Sequence, residues 1–174
     1  VLAGMVKGVT GMGLPTVAMG ILGSLISPVA AAAMLLLPSL ISNLFQFGGG
    51  GNTRQLLKRL WPMLLTVVVA TLLASAWITG GDTTRTQFAL GVALVAYAIW
   101  TLAGKKIAVA SQREKPYSLV IGFVTGLLTG GTGVFVMPAV PWIQSLGFEK
   151  DELVQALGIS FTFSTLALAL GLWW

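Results

Sequence analysis

The residue types of this chain point to chemistry where a charged side chain lies among glycines in an apolar stretch. Lys7 is the only charge inside an apolar segment, and it is followed closely by Gly8, Gly11, Gly13 and Pro15. An ammonium in hydrocarbon is costly unless it finds a partner or water. Lys7 is therefore the strongest candidate for binding an anion. The alternative is a long side chain that extends to the membrane surface.

A second stretch, at an offset of roughly 120 residues, resembles the first. Gly4, Gly8, Thr10, Gly11, Gly13 and Pro15 have counterparts in Gly122, Gly126, Thr129, Gly130, Gly131, Gly133 and Pro138. A helix in a bilayer is interrupted only where protein or water pairs its backbone groups. Residues 11–15 and 129–133 are therefore predicted unwound points, where free N–H groups and a helix dipole attract an anion. Close packing between helices is the alternative use of these glycines.

The predicted anion site combines the charge of Lys7 with hydroxyl, amide and backbone donors from both stretches and from the helix after each. The predicted substrate-binding residues are Lys7, Thr10, Gly11, Gly13, Asn43, Gln46, Thr129, Gly130, Gly131, Thr132, Ser164 and Thr165, with Ser160 and Thr162 as further hydroxyls. Buried serine and threonine also hydrogen-bond between membrane helices. The sequence has no histidine and no cysteine, so we predict no metal, no cofactor and no enzymatic activity.

The elements that position these residues must lie in a membrane. The chain has 174 residues, of which 56% are hydrophobic and 9% charged, against roughly a quarter charged in a soluble protein. Nucleic acid is not a predicted partner, because the basic residues lie in short connections and not on a soluble core. We predict an all-α integral membrane protein with about six transmembrane helices. The apolar segments are at about 1–26, 28–47, 61–79, 86–104, 117–145 and 152–174.

The distribution of lysine and arginine predicts the orientation. Connections 47–60 and 105–116 are rich in both residues and are predicted to be cytoplasmic, whereas 80–85 and 146–151 are predicted to face outward. The glycines at 48–51 favour a flexible loop over a phosphate cradle.

Ser27-Pro28 and Trp61-Pro62 predict helix starts. Asp151 and Glu152 fit the start of the sixth helix.

The duplicated pattern predicts one transmembrane domain over 1–174, with a first repeat at 1–104, a partial second repeat at 117–174 and a glycine-broken first helix in each. Four crossings between the equivalent segments favour parallel repeats, whereas inverted repeats would require re-entrant glycine-rich hairpins. Because the chain starts at Val1 and stops at Trp174 inside an apolar run, we predict that it is part of a longer protein.

Three stretches resemble the TauE/SafE family of bacterial anion permeases: 4–15, 38–46 and 151–166, the last including Asp151-Glu152-Leu153-Val154-Gln155-Ala156-Leu157-Gly158. The resemblance implies seven or eight helices in two halves, with the missing ones after Trp174. It also implies transport of sulfite, thiosulfate, sulfonates or other organic anions across the inner membrane. We therefore predict a secondary transporter that binds a small anion and works by alternating access. The alternative is a membrane-embedded structural or accessory subunit whose glycines serve packing alone.

Overall fold

The computed structural model describes residues 4, 5, 7, 14–80, 82–103 and 113–173 of the chain. These ranges contain no strand, and their seven helices are α1 (Leu14–Leu25), α2 (Pro28–Gly48), α3 (Thr53–Gly80), α4 (Thr83–Ala103), α5 (Glu114–Thr132), α6 (Ala139–Ser145) and α7 (Lys150–Trp173). Of these described helices, α2, α3, α4 and α7 are long and apolar enough to cross a membrane. The all-α membrane class predicted from the sequence is confirmed.

Two of the predicted helix starts are confirmed. The Ser27 hydroxyl accepts a hydrogen bond from the backbone N–H of Ala30 at 3.3 Å, and Pro28 occupies the first turn of α2. This pairs one of the N–H groups that a helix start leaves without an intrahelical partner. Asp151 and Glu152 lie in the first turn of α7, where negative charge is favourable.

The predicted start of the third segment at Trp61-Pro62 is wrong. Helix α3 begins at Thr53, so Pro62 lies inside it and most of the predicted loop 47–60 is helical. Arg54, Lys58 and Arg59 made this stretch look like a loop. Lysine and arginine are nevertheless good helix formers, and a transmembrane helix can continue beyond the apolar region.

The predicted fifth segment, 117–145, is two segments. Helix α5 continues through Thr132, so the unwound stretch begins at Gly133 and extends to Pro138, not at 129–133 as predicted. Gly133 has φ 74°, a left-handed conformation that suits glycine. Of the first predicted break, 11–15, Leu14 and Pro15 lie in the first turn of α1, and the other three residues lie outside the described part of the chain.

Helix α3 lies against both α5 and α7 and runs parallel to each. Gly122 of α5 faces Met63, whereas Gly130 faces Ala74 further along α3. In α7, Gln155 donates to the Thr53 hydroxyl at 2.8 Å, and Gly171 packs on Ser75. Small residues allow this close approach of the backbones.

Helices α2 and α7 cross in opposite directions. Asn43 donates to Thr165 at 3.1 Å, while Phe47, further along α2, lies against Gly158, which is earlier in α7. The sequence pattern pairs these two helices as equivalents. A duplication that relates them is therefore inverted, and the parallel orientation predicted by counting crossings is wrong.

Counting membrane crossings gave the wrong orientation because the chain turns back after Gly133. Tyr117 near the start of α5 contacts Trp142 of α6, with ring centroids 6.1 Å apart, so residues 133–145 return along the bundle. Arg59 pairs with Glu114 at 2.7 Å and donates to the carbonyl of Leu146 at 3.0 Å. The connection after α6 therefore lies at the end of the bundle that carries Arg59 and Glu114, called the basic end below. Its predicted position at the opposite end is wrong.

Candidate functional site

The Lys7 ammonium is buried against the second half of α2. Its side chain is 6% exposed, and Nζ donates to the hydroxyl of Ser42 at 2.9 Å and to Oδ1 of Asn43. On another side, the Phe161 ring of α7 lies 5.8 Å from Nζ, within the range of a cation–π contact. All these partners are neutral, so they solvate the charge without cancelling it.

The five carboxylates of the sequence all lie in the described part of the chain, and none of them pairs with Lys7. They are at helix ends or in connections: Asp82, Glu114, Glu149, Asp151 and Glu152. The buried positive charge is therefore uncompensated by any acidic side chain of this chain. At this buried position little water competes for hydrogen bonds with the ammonium, so an anion that reached Lys7 would bind it more strongly than at the protein surface.

A chain of hydrogen bonds orients the amide of Asn43. Its Oδ1 accepts from Lys7, and its Nδ2 donates to the Thr165 hydroxyl at 3.1 Å. Thr165 in turn donates to the backbone carbonyl of Phe161 at 2.7 Å. Ser42 is oriented likewise, since it donates to the carbonyl of Ser39 at 3.0 Å and accepts from Lys7. The ammonium thus donates to acceptors that are themselves held in place by hydrogen bonds.

The unwound stretch after α5 contacts the surroundings of Lys7 through aromatic side chains. Phe135, two residues after Gly133, lies with its ring centroid 5.3 Å from that of Phe161, which also faces Lys7. A cavity of about 10 Å³, enough for roughly one water molecule, lies beside Gly133, Phe135, Ser39 and Thr165. The unwound backbone of the second stretch therefore borders the same buried region as Lys7.

Hydroxyls without partners lie in and near this region. Among the described residues, the Ser39, Ser160 and Ser164 hydroxyls are buried and have no hydrogen-bond partner. Buried polar groups are normally paired, because an unpaired one costs free energy. Ser39 borders the small cavity, so its hydroxyl is available to a ligand there.

The structure brings together only part of the predicted set. Lys7, Asn43 and Thr165 are directly connected, and Gln46 lies one turn further along α2, where its Cβ faces Gly158. Ser164 stands seven residues before Gly171, and therefore on the stripe of α7 that faces α3. Thr10, Gly11 and Gly13 lie outside the described residues.

The predicted residues of α5 have different surroundings. Thr129 is buried and donates to the carbonyl of Thr125 at 2.7 Å. The Thr132 hydroxyl accepts from the N–H of Val134 at 3.3 Å and so pairs one backbone group of the break. Gly130 packs against α3, so atoms of α3 occupy the space where a side chain would lie. Gly131 has no atom within 4 Å of the position of a β-carbon.

A family model described as sulfite exporter TauE/SafE matches residues 1–174. The chain belongs to the TauE/SafE family. Comparison with curated proteins and with solved structures gave no significant match. Membership of the TauE/SafE family identifies a multi-pass membrane permease of the sulfite or anion exporter type. The resemblance proposed from three sequence stretches is confirmed.

Ser39, Ser42 and Phe161 of this TauE/SafE chain lie in the region around Lys7 but were not among the residues predicted from the sequence. A signal was present for the serines, because Ser39, Ser42 and Asn43 recur at the three- and four-residue spacing of one helix face. No polar signal marks Phe161. Its contact with the ammonium depends on how α7 crosses α2.

Proposed function

We propose that this TauE/SafE chain carries the anion-binding centre of a secondary transporter for a small oxyanion such as sulfite, thiosulfate or an organosulfonate. The observation that carries the proposal is the buried Lys7 ammonium, which has neutral partners at Ser42, Asn43 and Phe161 and no carboxylate partner. An oxyanion supplies the missing charge and accepts hydrogen bonds from the ammonium and nearby hydroxyls. No carboxylate of this chain lies at Lys7 to compete for that position.

The mechanism that we propose is alternating access. Secondary transporters commonly bind substrate near the membrane midplane, at the interface between inverted repeats, and move one repeat against the other. Here the contact of Asn43 with Thr165 joins α2 and α7, two helices of opposite direction. The Lys7 site lies on this crossing, so a relative movement of the two helices would change access to it.

We also propose that the basic end is cytoplasmic and that the protein is in the inner membrane. Arg54, Lys58, Arg59 and Lys115 lie at this end, whereas Arg85 lies at the other. Cytoplasmic loops of membrane proteins carry an excess of lysine and arginine. Because the 146–151 connection lies at the basic end, Lys150 and three acidic residues are counted there as well. Lysine and arginine still outnumber the acidic residues at that end.

The test is transport by the full-length protein in proteoliposomes, with radioactive sulfite as the probe. Lys7→Gln removes a charge-assisted hydrogen bond, so we expect anion affinity to fall by about 10- to 100-fold, which corresponds to roughly 1.5–3 kcal/mol. The matched control is Lys115→Gln, at the exposed start of α5, which should leave transport unchanged. Normal transport by Lys7→Gln would refute the proposed role of the ammonium.

A second variant distinguishes an effect of the charge at the site on transport from an effect on folding. Asn43→Asp places a carboxylate beside the Lys7 ammonium, where Asn43 now accepts its hydrogen bond. The internal ion pair should compete with the substrate, so sulfite transport should fall while the protein remains folded. An accessory subunit with a purely structural lysine would instead keep transport and gain stability. Measuring transport and melting temperature on the same preparations distinguishes these cases.

A further inference from the structure

A second, larger cavity lies at the end of the bundle opposite the basic end. It has a volume of about 630 Å³ and lies between the last turns of α3 and α5 and the first turns of α4. Its walls include Arg85 and Thr86 of α4, and Leu128, Gly131 and Thr132 of α5. We call this cavity the vestibule.

The vestibule contains a guanidinium that is free to bind. Arg85 is exposed, and in the described part of the chain it has neither a hydrogen bond nor an ion pair. Asp82 also borders the vestibule, but its Oδ1 accepts from the backbone N–H of Thr84 at 2.9 Å. That carboxylate is thus stabilised by the start of α4, where the helix dipole favours negative charge. The donors of Arg85 remain available to an anion.

The vestibule and the buried region around Lys7 both border the break after α5. Thr132 lines the vestibule, whereas its neighbour Gly133 lines the small cavity beside Ser39 and Thr165. The Thr132 hydroxyl accepts from Val134, so one side chain holds this dividing backbone in place. The vestibule and the small cavity beside Thr165, the partner of Asn43, are therefore lined by consecutive residues of one short backbone stretch.

We propose that the vestibule is an anion-binding site on the substrate path, where Arg85 first holds a small oxyanion before it passes the Gly133 break. The proposal rests on the proposed function, since the vestibule would be the route to the Lys7 site. The positive charge of Arg85 attracts small anions without selecting for their shape. The site therefore binds sulfite, sulfate and short sulfonates alike. Opposite charges a few ångströms apart attract appreciably even in water, and salt screens the attraction.

Thiol labelling tests the site directly, because the sequence has no cysteine. A β-carbon at Gly131 would meet no atom within 4 Å, so Gly131→Cys fits without displacement and faces the vestibule. In full-length protein whose only cysteine is this one, any cysteine beyond these 174 residues having been replaced by serine, we compare an anionic reagent, sulfonatoethyl methanethiosulfonate, with its cationic trimethylammonium counterpart. At low ionic strength, Arg85→Gln should lower the anionic-to-cationic rate ratio by about fivefold or more, and high salt should abolish the difference.

The matched control is Gly51→Cys, which also has open space around its β-carbon and lies near Arg54 at the basic end. Its rate ratio should not change with Arg85→Gln. A cysteine at position 131 that reacts with neither reagent would overturn the proposal, because the vestibule would then be filled by lipid and not water. An unchanged ratio would overturn it as well. Labelling needs no turnover, so the result is independent of the Lys7 transport assay.

Discussion

Two neighbouring glycines of α5 should respond in opposite ways to the same added methyl group. A β-carbon at Gly130 would lie 2.8 Å from Cβ and 2.9 Å from the carbonyl carbon of Ala74, and close to the carbonyl oxygen of Thr71. Two of these three atoms belong to the backbone of α3, so they cannot rotate away. At Gly131 the same β-carbon would meet nothing within 4 Å.

The magnitudes follow from packing and helix propensity. Overpacking a close contact typically costs about 1–3 kcal/mol, whereas replacing a helical glycine by alanine gains about 0.5–1 kcal/mol. The gain in helix propensity is common to both variants, so we expect Gly130→Ala to be less stable than Gly131→Ala by the overpacking cost of about 1–3 kcal/mol. At roughly 2–4 °C per kcal/mol for a protein of this size, that is a difference in melting temperature of about 2–12 °C.

The assay is thermal unfolding of the detergent-solubilised full-length protein, followed by intrinsic tryptophan fluorescence. Gly130→Ala should melt below the parent, and Gly131→Ala at or slightly above it. Equal melting temperatures for the two variants would refute the assignment of Gly130 to helix packing. A larger loss for Gly131→Ala would place the contact with α3 on the wrong residue.

The other predictions concern the crossing of α2 and α7, and all use the same melting assay. Gly158→Ala should destabilise the protein by about 1–3 kcal/mol, because its β-carbon would lie 2.6 Å from the backbone nitrogen of Phe47; a neutral effect would contradict this contact. Gln155→Leu removes the NH2 group whose two hydrogens are shared among the carbonyls of Phe47 and Gly50 and the hydroxyl of Thr53, where α2 connects to α3, and should cost about 1–3 kcal/mol; a stability equal to the parent would show that these hydrogen bonds contribute nothing. Thr165→Val keeps the shape but removes the acceptor of the Asn43 amide, and should cost about 1–2 kcal/mol; unchanged stability and transport would argue against a fixed amide beside Lys7.

The glycines of the second stretch divide into two uses. Gly122, Gly126 and Gly130 recur every four residues and pack on α3, where their lack of a side chain lets the helices approach. Gly133 instead adopts the left-handed backbone that ends α5. Packing and backbone interruption were both expected uses of these glycines and can occur together, and the second stretch contains both. Substrate binding by Gly130 and Gly131 stays a prediction.

The sequence alone determined the membrane class, the family and the start of α2, and it singled out Lys7, whose role in anion binding stays a prediction. These follow from local properties: apolar segments of membrane length, a capping serine before a proline, and a charge in an apolar stretch. The same local reasoning selected Asn43 and Thr165, because they occupy corresponding places in the two related stretches.

Only the tertiary structure decided the directions of the helices and the partners of the lysine. The return of the chain after Gly133 changes the number of crossings by one, and no local pattern distinguishes a broken helix that continues from one that turns back. That single turn makes α2 and α7 antiparallel and places Asn43, Thr165 and Phe161 together. The physical reason is that backbone pairing in a membrane is satisfied by neighbouring segments, and which segments are neighbours is set by the whole bundle.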